Sequence, residues 1–303
     1  MAIEPSSFTY QGHSDKVFAV AWSPNSLSIA SASRDSTVQV WNAVTGEVSY
    51  IYRGHTKCLL CVVWSPDGQL IASGSTDGII HIWEALTGRN ISTYRGHVRF
   101  VRSVMWSPDG RYIASGGDYG DSTVQVWEAA TCKTIYIHRD QYRMFAVSWS
   151  PHGQRIASAS FDGSVQIWDA FNGSNVFVYR GHTGPVYAAA WSPDGKYIAS
   201  GGNDTTVLVW NVATGETLFT YKGHTGAVKT LTWSSNGRYI VSGGDDATVQ
   251  VWNVDTGEVF FVDQSYSSWV RSVAWSFDGR HIASACDGIV KVTYLPSIPS
   301  SVP

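Results

Sequence analysis

Tryptophan is spaced along this chain as if by a ruler. Trp22, Trp64 and Trp106 are 42 residues apart, and Trp149, Trp191, Trp233 and Trp275 continue the ladder after a single 43-residue step. A second ladder runs Trp41, Trp83, Trp127, Trp168, Trp210 and Trp252. The two ladders take all of the 14 tryptophans except Trp269. A fixed period of this length means one supersecondary unit repeated, each copy burying its apolar face only against its neighbours. It rules out a single irregular core and sets the copy number at seven.

Each copy is a string of short strands. Val207 and Val209 alternate with Thr206 and Leu208, a period of two, and no segment carries a helical period. The apolar pieces are rich in Val, Ile, Trp and Tyr and are separated by turn sequences. One is Ser192-Pro193-Asp194-Gly195: Pro presets φ, Asp bonds its own backbone and Gly accepts positive φ. Thr214-Gly215-Glu216 is another. Four strands per copy follow, and with them an all-β repeat protein.

These residues resemble the WD40 repeat: Gly-His, then a Trp-Ser-Pro-Asp-Gly turn, then an Asp six residues before a strand-ending Trp, in seven registered copies over about residues 6–294. Copy uniformity is similar to that of bacterial WD-repeat proteins, which are often parts of larger multidomain chains. The resemblance implies a seven-bladed β-propeller of four-stranded antiparallel blades, one domain over 1–303. It also implies a closure device. Ser6–Tyr10 precedes the first Gly-His with no earlier copy to belong to, and the last copy ends near Tyr294, one strand short. The N-terminal segment should supply the outer strand of blade seven and remove the open edges of the array. Residues 295–303, rich in Pro and Ser, read as a flexible tail.

His, Ser and Asp recur together, which invites a hydrolase reading. The sets are His13, Ser31, Asp35, Trp41; His55, Ser73, Asp77, Trp83; His97, Ser115, Asp121, Trp127; His182, Ser200, Asp204, Trp210; and His224, Ser242, Asp246, Trp252. A catalytic group occurs once per active site, whereas this set occurs five times. The resemblance implies a buried chain of hydrogen bonds from Trp to Ser to His to Asp, structural in role. Copy four holds Asp140 where His is expected. Copy seven holds Tyr266 there, with Thr293 for the strand-ending Trp, so neither should carry the full chain. His81, His138, His152 and His281 share no metal-ligand spacing and read as surface or strand-face residues. Cys58 and Cys61 have no second pair, Cys132 reads as an exposed turn thiol, and no Gly-rich phosphate loop is present. Neither a cofactor nor a metal is expected.

Function is then sought where the copies differ. The resemblance implies three positions per blade lining the upper mouth of the central channel. The first gives Phe18, Leu60, Arg102, Phe145, Tyr187, Lys229 and Arg271. The second, two residues earlier and so on the same strand face, gives Lys16, Cys58, Phe100, Arg143, Pro185, Ala227 and Trp269. The third gives Arg34, Thr76, Gly120, Phe161, Asn203, Asp245 and Cys286. Six of these are basic although the whole 303-residue chain has only 21 Lys+Arg and a net charge of -3. Six are aromatic. Arg beside aromatic residues is the composition of interface hot spots.

The expected function is non-enzymatic: a cytoplasmic, monomeric scaffold presenting this mouth to a protein or peptide, acidic or phosphorylated. The modest charge gives no extended basic stripe for nucleic acid, and no apolar run approaches a membrane span. A recently amplified or engineered scaffold without an evolved ligand is the alternative. A small-molecule binder or enzyme would need a single-copy acid/base pair at the mouth, for which only Asp118 and Asp245 offer themselves.

Overall fold

Every blade is built in the same order because every copy carries the same pattern of alternation and turns. The computed structural model describes residues 7–118 and 120–295. These form seven four-stranded antiparallel sheets, and no helix occurs among the described residues. In blade one the strands are Val17–Trp22 (innermost), Ser28–Ser33, Val38–Asn42 and Val48–Tyr52 (outermost). Blades two to six repeat this order. Gly195 sits at φ +71° in the turn that Ser192 closes through Asp194 (Oγ to Oδ1, 2.6 Å).

The ring closes as the sequence implies. Ser7–Tyr10 pairs antiparallel with the strand Ile289–Tyr294, with Phe8 opposite Val292 and Tyr10 opposite Val290, and so completes blade seven. Ser6 lies outside the described residues. The seam is also joined on the inner side: Trp22 Nε1 donates to the Ala274 carbonyl (3.1 Å) and the Val20 amide to Ser272 Oγ (3.2 Å). Leu295, expected to begin the flexible tail, is instead buried in the blade six–seven core, and its amide bonds the Arg280 carbonyl at 2.8 Å. Residues 296–303 of that expected tail lie outside the described residues.

The core lies between blades. The strand-ending Trp41, Trp83, Trp127, Trp168, Trp210 and Trp252 are all fully buried. Each is covered by an aromatic ring from the outer strand of the preceding blade. Tyr10 stacks on Trp41 with centroids 4.2 Å apart, Tyr52 on Trp83 at 4.3 Å, Tyr94 on Trp127 at 4.2 Å, Tyr179 on Trp210 at 4.2 Å and Tyr221 on Trp252 at 4.4 Å. The glycine of each Gly-His is a packing requirement of this stack: a Cβ at Gly181 would lie 2.2 Å from the Tyr179 hydroxyl.

Tyr10 therefore belongs to two interfaces at once, the closing ladder of blade seven and the Trp41 stack of blade one. Tyr10→Ala is expected to cost about 3–5 kcal/mol, as for other large buried aromatic deletions. The midpoint of urea denaturation measures it; a change below about 1 kcal/mol would show that the seam does not hold the ring shut.

Candidate functional site

The repeated polar sets form as expected in blades one, three, five and six. In blade five Trp210 Nε1 donates to Ser200 Oγ (3.3 Å), Ser200 Oγ meets His182 Nε2 (2.9 Å), and His182 Nδ1 meets Asp204 Oδ2 (2.9 Å). With Trp supplying a donor to Ser, a neutral imidazole satisfies the chain if Ser O–H donates to Nε2 and Nδ1–H donates to the carboxylate. Burial alone would raise the Asp35 and Asp246 pKa values. Hydrogen bonds from His13 and Thr37, and from His224, Thr225 and Thr248, outweigh it and hold both carboxyls well below the usual range. The order Asp–His–Ser is that of a hydrolase triad, yet Ser31, Ser115, Ser200 and Ser242 have no exposed surface. No substrate carbonyl reaches a hydroxyl sealed under an indole, so these groups work as ties between strands.

Blade two corrects the expectation. His55 Nε2 meets Ser73 Oγ (2.9 Å) and Trp83 Nε1 donates to the same oxygen (3.1 Å), but His55 Nδ1 has no hydrogen-bond partner and does not reach Asp77. The cause is His81, which stands where other blades have Gln39, Gln125 and Gln250. It is buried, bonds the Tyr52 hydroxyl through Nδ1 (2.9 Å), and stacks on His55 with centroids 4.1 Å apart. Burial, and then the neighbouring His81, push the His55 pKa down to about 3.

Blades four and seven lack the full set, and in each the substitutions compensate one another. In blade four His138 takes the place of the stacking tyrosine, lying 4.7 Å from Trp168 and bonding Gln166 Oε1 through Nε2 (3.0 Å), while Asp140 accepts from Gln166 Nε2 (2.6 Å). His138 thus lies on a strand face, one of the two readings the sequence allows, and that face packs against the next blade. At the blade six–seven junction four positions change together. Tyr becomes Asp263, Gln becomes Lys291, His becomes Tyr266 and Trp becomes Thr293. The stack is replaced by an ion pair, Lys291 Nζ to Asp263 Oδ2 at 2.6 Å, and by a bond between the Tyr266 and Ser284 hydroxyls. Cys132 is half-buried against the blade-three core rather than exposed.

The central channel encloses about 910 Å³. All seven first-position residues line it: Phe18, Leu60, Arg102, Phe145, Tyr187, Lys229 and Arg271, joined by Trp269 and Asp245. In blades one to six the register shifts at that residue, as between Val17 and Ala19, so a β-bulge turns the side chain out of the ladder and into the mouth. The same-face argument for the second position therefore fails. Lys16 precedes its strand, and Lys16, Arg34, Phe100, Arg143 and Phe161 lie outside the channel wall.

Two third positions also move. The amides of Arg34, Thr76, Phe161, Asn203 and Asp245 each donate to the carbonyl of their blade's second-position residue. In blade three the amide that does so is Asp118, to Phe100 at 2.9 Å, so Asp118 and not Gly120 holds the position. In blade seven Cys286 ends a strand opposite Ile289, leaving Asp287-Gly288 as a two-residue hairpin with both φ positive; Asp287 holds the position and Cys286 is buried. Both corrections add a carboxylate. Arg102 Nε pairs with Asp118 at 2.6 Å, Arg143 lies 3.9 Å from the same carboxyl, Lys229 pairs with Asp245 at 3.2 Å, Lys16 with Asp287 at 3.7 Å and Arg34 with Asp15 at 3.6 Å. The aromatics gather too: Phe145 lies edge-on to Tyr187 at 5.0 Å and 6.3 Å from Phe161.

Beyond the mouth, Trp22, Trp64, Trp106 and Trp275 of the first tryptophan ladder line the channel, and sequence reasoning left that ladder without a role. Trp64 and Trp233 Nε1 donate to the carbonyls of Ala21 and Ala190 in the preceding blades (3.2 and 3.0 Å). The regularity of the ladder was the available signal.

The chain matches two family models. "WD domain, G-beta repeat" covers residues 5–42, 46–84 and 88–128, and "IFT122 first beta-propeller" covers residues 143–295. The chain belongs to the WD40-repeat family. Among curated relatives it is similar to Protein CIA1 of Arabidopsis thaliana (42% identical over 55 residues, 16% of each chain). It is similar to the Notchless protein homolog of the same plant (40% over 67 residues, 22% of this chain and 14% of the relative). Protein tipD of Dictyostelium discoideum is 44% identical over 63 residues, 19% of this chain and 10% of the relative. None of these three is bacterial, and the chain covers less than a fifth of each. No group of three or more His, Cys, Asp or Glu residues able to hold a metal ion occurs among the described residues, nor does a helix long and apolar enough to cross a membrane.

Two stability predictions follow from the altered blades. Between pH 6.5 and about 3 the unfolded chain protonates His55 and the folded chain does not, so stability falls as pH drops through that window, by up to about 1.4 kcal/mol per pH unit. His55→Gln should flatten the slope of stability between pH 6.5 and 4.5; an unchanged slope would remove His55 as its source. Lys291→Met should cost about 3 kcal/mol by leaving Asp263 buried without its cation, and Asp263→Asn added to it should recover much of the loss. Additive effects in that double-mutant cycle would mean the pair is not coupled.

Proposed function

We propose that this propeller is a non-enzymatic protein-interaction scaffold that takes an acidic segment of a partner on its upper face. The supporting observation is the mouth itself: Arg102, Lys229 and Arg271 line it together with Phe18, Phe145, Tyr187 and Trp269, in a channel lined elsewhere mainly by apolar and small residues. WD40 propellers are in general non-catalytic scaffolds. Here the Ser-His-Asp chains are sealed, and Asp118 and Asp245, the two mouth acids singled out from the sequence, are each held by a cation at 2.6 and 3.2 Å instead of facing a second acid or a base. Cation outnumbers carboxylate at the mouth even with Asp15, Asp118, Asp245 and Asp287 counted, so the face keeps a positive bias on a chain of net charge -3. Trp269 and Phe161, about half exposed, offer apolar contact beside it. The working unit is a monomer in the cytoplasm.

Pools of acidic, phosphorylated and basic peptides, screened at low and high salt, test this. The variants are Trp269→Ala with Phe145→Ala on the upper face and Phe277→Ala on the lower. Acidic peptides should be retained, more weakly as salt rises because exposed charges are screened over about 8–10 Å. The upper-face variant should lose them and the lower-face variant keep them. A preference for basic peptides, or equal loss in both variants, overturns the reading.

A further inference from the structure

The mouth cations are not equivalent. In blades three, five and six the first-position side chain bonds the third-position residue of its own blade: Arg102 to Asp118, Tyr187 to Asn203 (3.3 Å) and Lys229 to Asp245. Blade seven breaks this rule. Its hairpin is shortened to Asp287-Gly288, and Asp287 pairs across the seam with Lys16. Its inner strand begins only at Ser272, and the Val270 amide turns to the Gly244 carbonyl of blade six. Arg271 is left without a carboxylate within ion-pair distance among the described residues. Its guanidinium lies instead over two rings, Phe18 at 4.9 Å and Trp269 at 5.4 Å, and its Nε is buried with no hydrogen-bond partner.

We propose that Arg271 is the anchor of the mouth: it takes one carboxylate of a peptide side chain, while the neighbouring apolar residue of that peptide lies on Trp269. This rests on the reading of the upper face given above. A guanidinium set against two ring faces presents its free donors in its own plane, which suits a planar carboxylate better than a tetrahedral phosphate. The sealed Nε has no partner and no anion stands beside the guanidinium, so a carboxylate arriving at its terminal nitrogens supplies the counter-charge that the fold leaves out. The other five cations are already close to a carboxylate, so an incoming acid gains less from each. Recognition is thereby confined to blades seven and one, beside the seam, rather than spread around the rim.

The test uses the whole chain and fluorescein-labelled Gly-Phe-X-Gly peptides with X as Glu, phosphoserine, Gln or Lys, read by fluorescence anisotropy. The Glu peptide is expected to bind most tightly. Arg271→Gln should weaken it at least about tenfold, as for a central charged hot spot. Arg271→Lys should also lose most of the affinity, because a point charge does not replace the fork. Lys196→Gln, in the exposed turn at the opposite end of the blade-five inner strand, should change it less than about twofold. Thermal melts within a few degrees of the parent confirm that each variant is folded; if Arg271→Gln melts early, Arg271→Lys decides. Equal affinity of parent and Arg271 variants, equal loss in Lys196→Gln, or tighter binding of the phosphoserine peptide overturns the proposal while leaving an acid-binding face intact. If the parent binds neither the Glu nor the phosphoserine peptide, the proposal is overturned, and if it also retains no acidic pool, the acidic reading of the face falls with it.

Discussion

One contact recurs at nearly every blade boundary and makes the ring a single body: a tyrosine from the outer strand of one blade lying flat on the buried tryptophan of the next. Neither blade can bury that indole alone. The tryptophan has no exposed surface, its N–H is committed to a serine, and its face is closed by a ring that belongs to the neighbour. Stability is therefore stored between repeats, as expected of a repeat protein, and an open array would leave its terminal indole face uncovered. Closure by the N-terminal strand supplies the missing ring, Tyr10, as well as the missing ladder.

That arrangement explains why substitutions in the polar sets come in groups. Aspartate in place of tyrosine at Asp263 would leave a buried charge facing an indole, so it is tolerated only with Lys291 in place of glutamine and Thr293 in place of tryptophan. At the blade three–four junction His138 stacks as tyrosine does and shares Gln166 with Asp140. In blade two a single glutamine-to-histidine change at His81 is not fully compensated, and His55 keeps an orphaned nitrogen. The scaffold thus separates two tasks. The stack and the polar chains hold the blades, and the bulge on each innermost strand turns one side chain per blade into the channel without disturbing them.

Much of this was written in the spacing of the residues. Seven copies, four strands per copy, the closing strand and four of the five polar sets can be read from the tryptophan ladders, the Gly-His pairs and the surplus segment before residue 11, because each depends only on a local pattern and its repetition. What tertiary packing alone decided is which variable residues meet. The bulge, invisible in a period-two pattern, moves the second mouth position off the strand. The insertion near Gly120 and the deletion before Asp287 shift the register so that Asp118 and Asp287 enter the mouth, and with them the neutralising charges the composition had appeared to withhold. Whether a cation is free or paired is a property of distances of a few ångströms between residues up to 271 positions apart, Lys16 and Asp287 among them. Coulomb attraction at that range is set by three-dimensional placement, and no one-dimensional pattern encodes it.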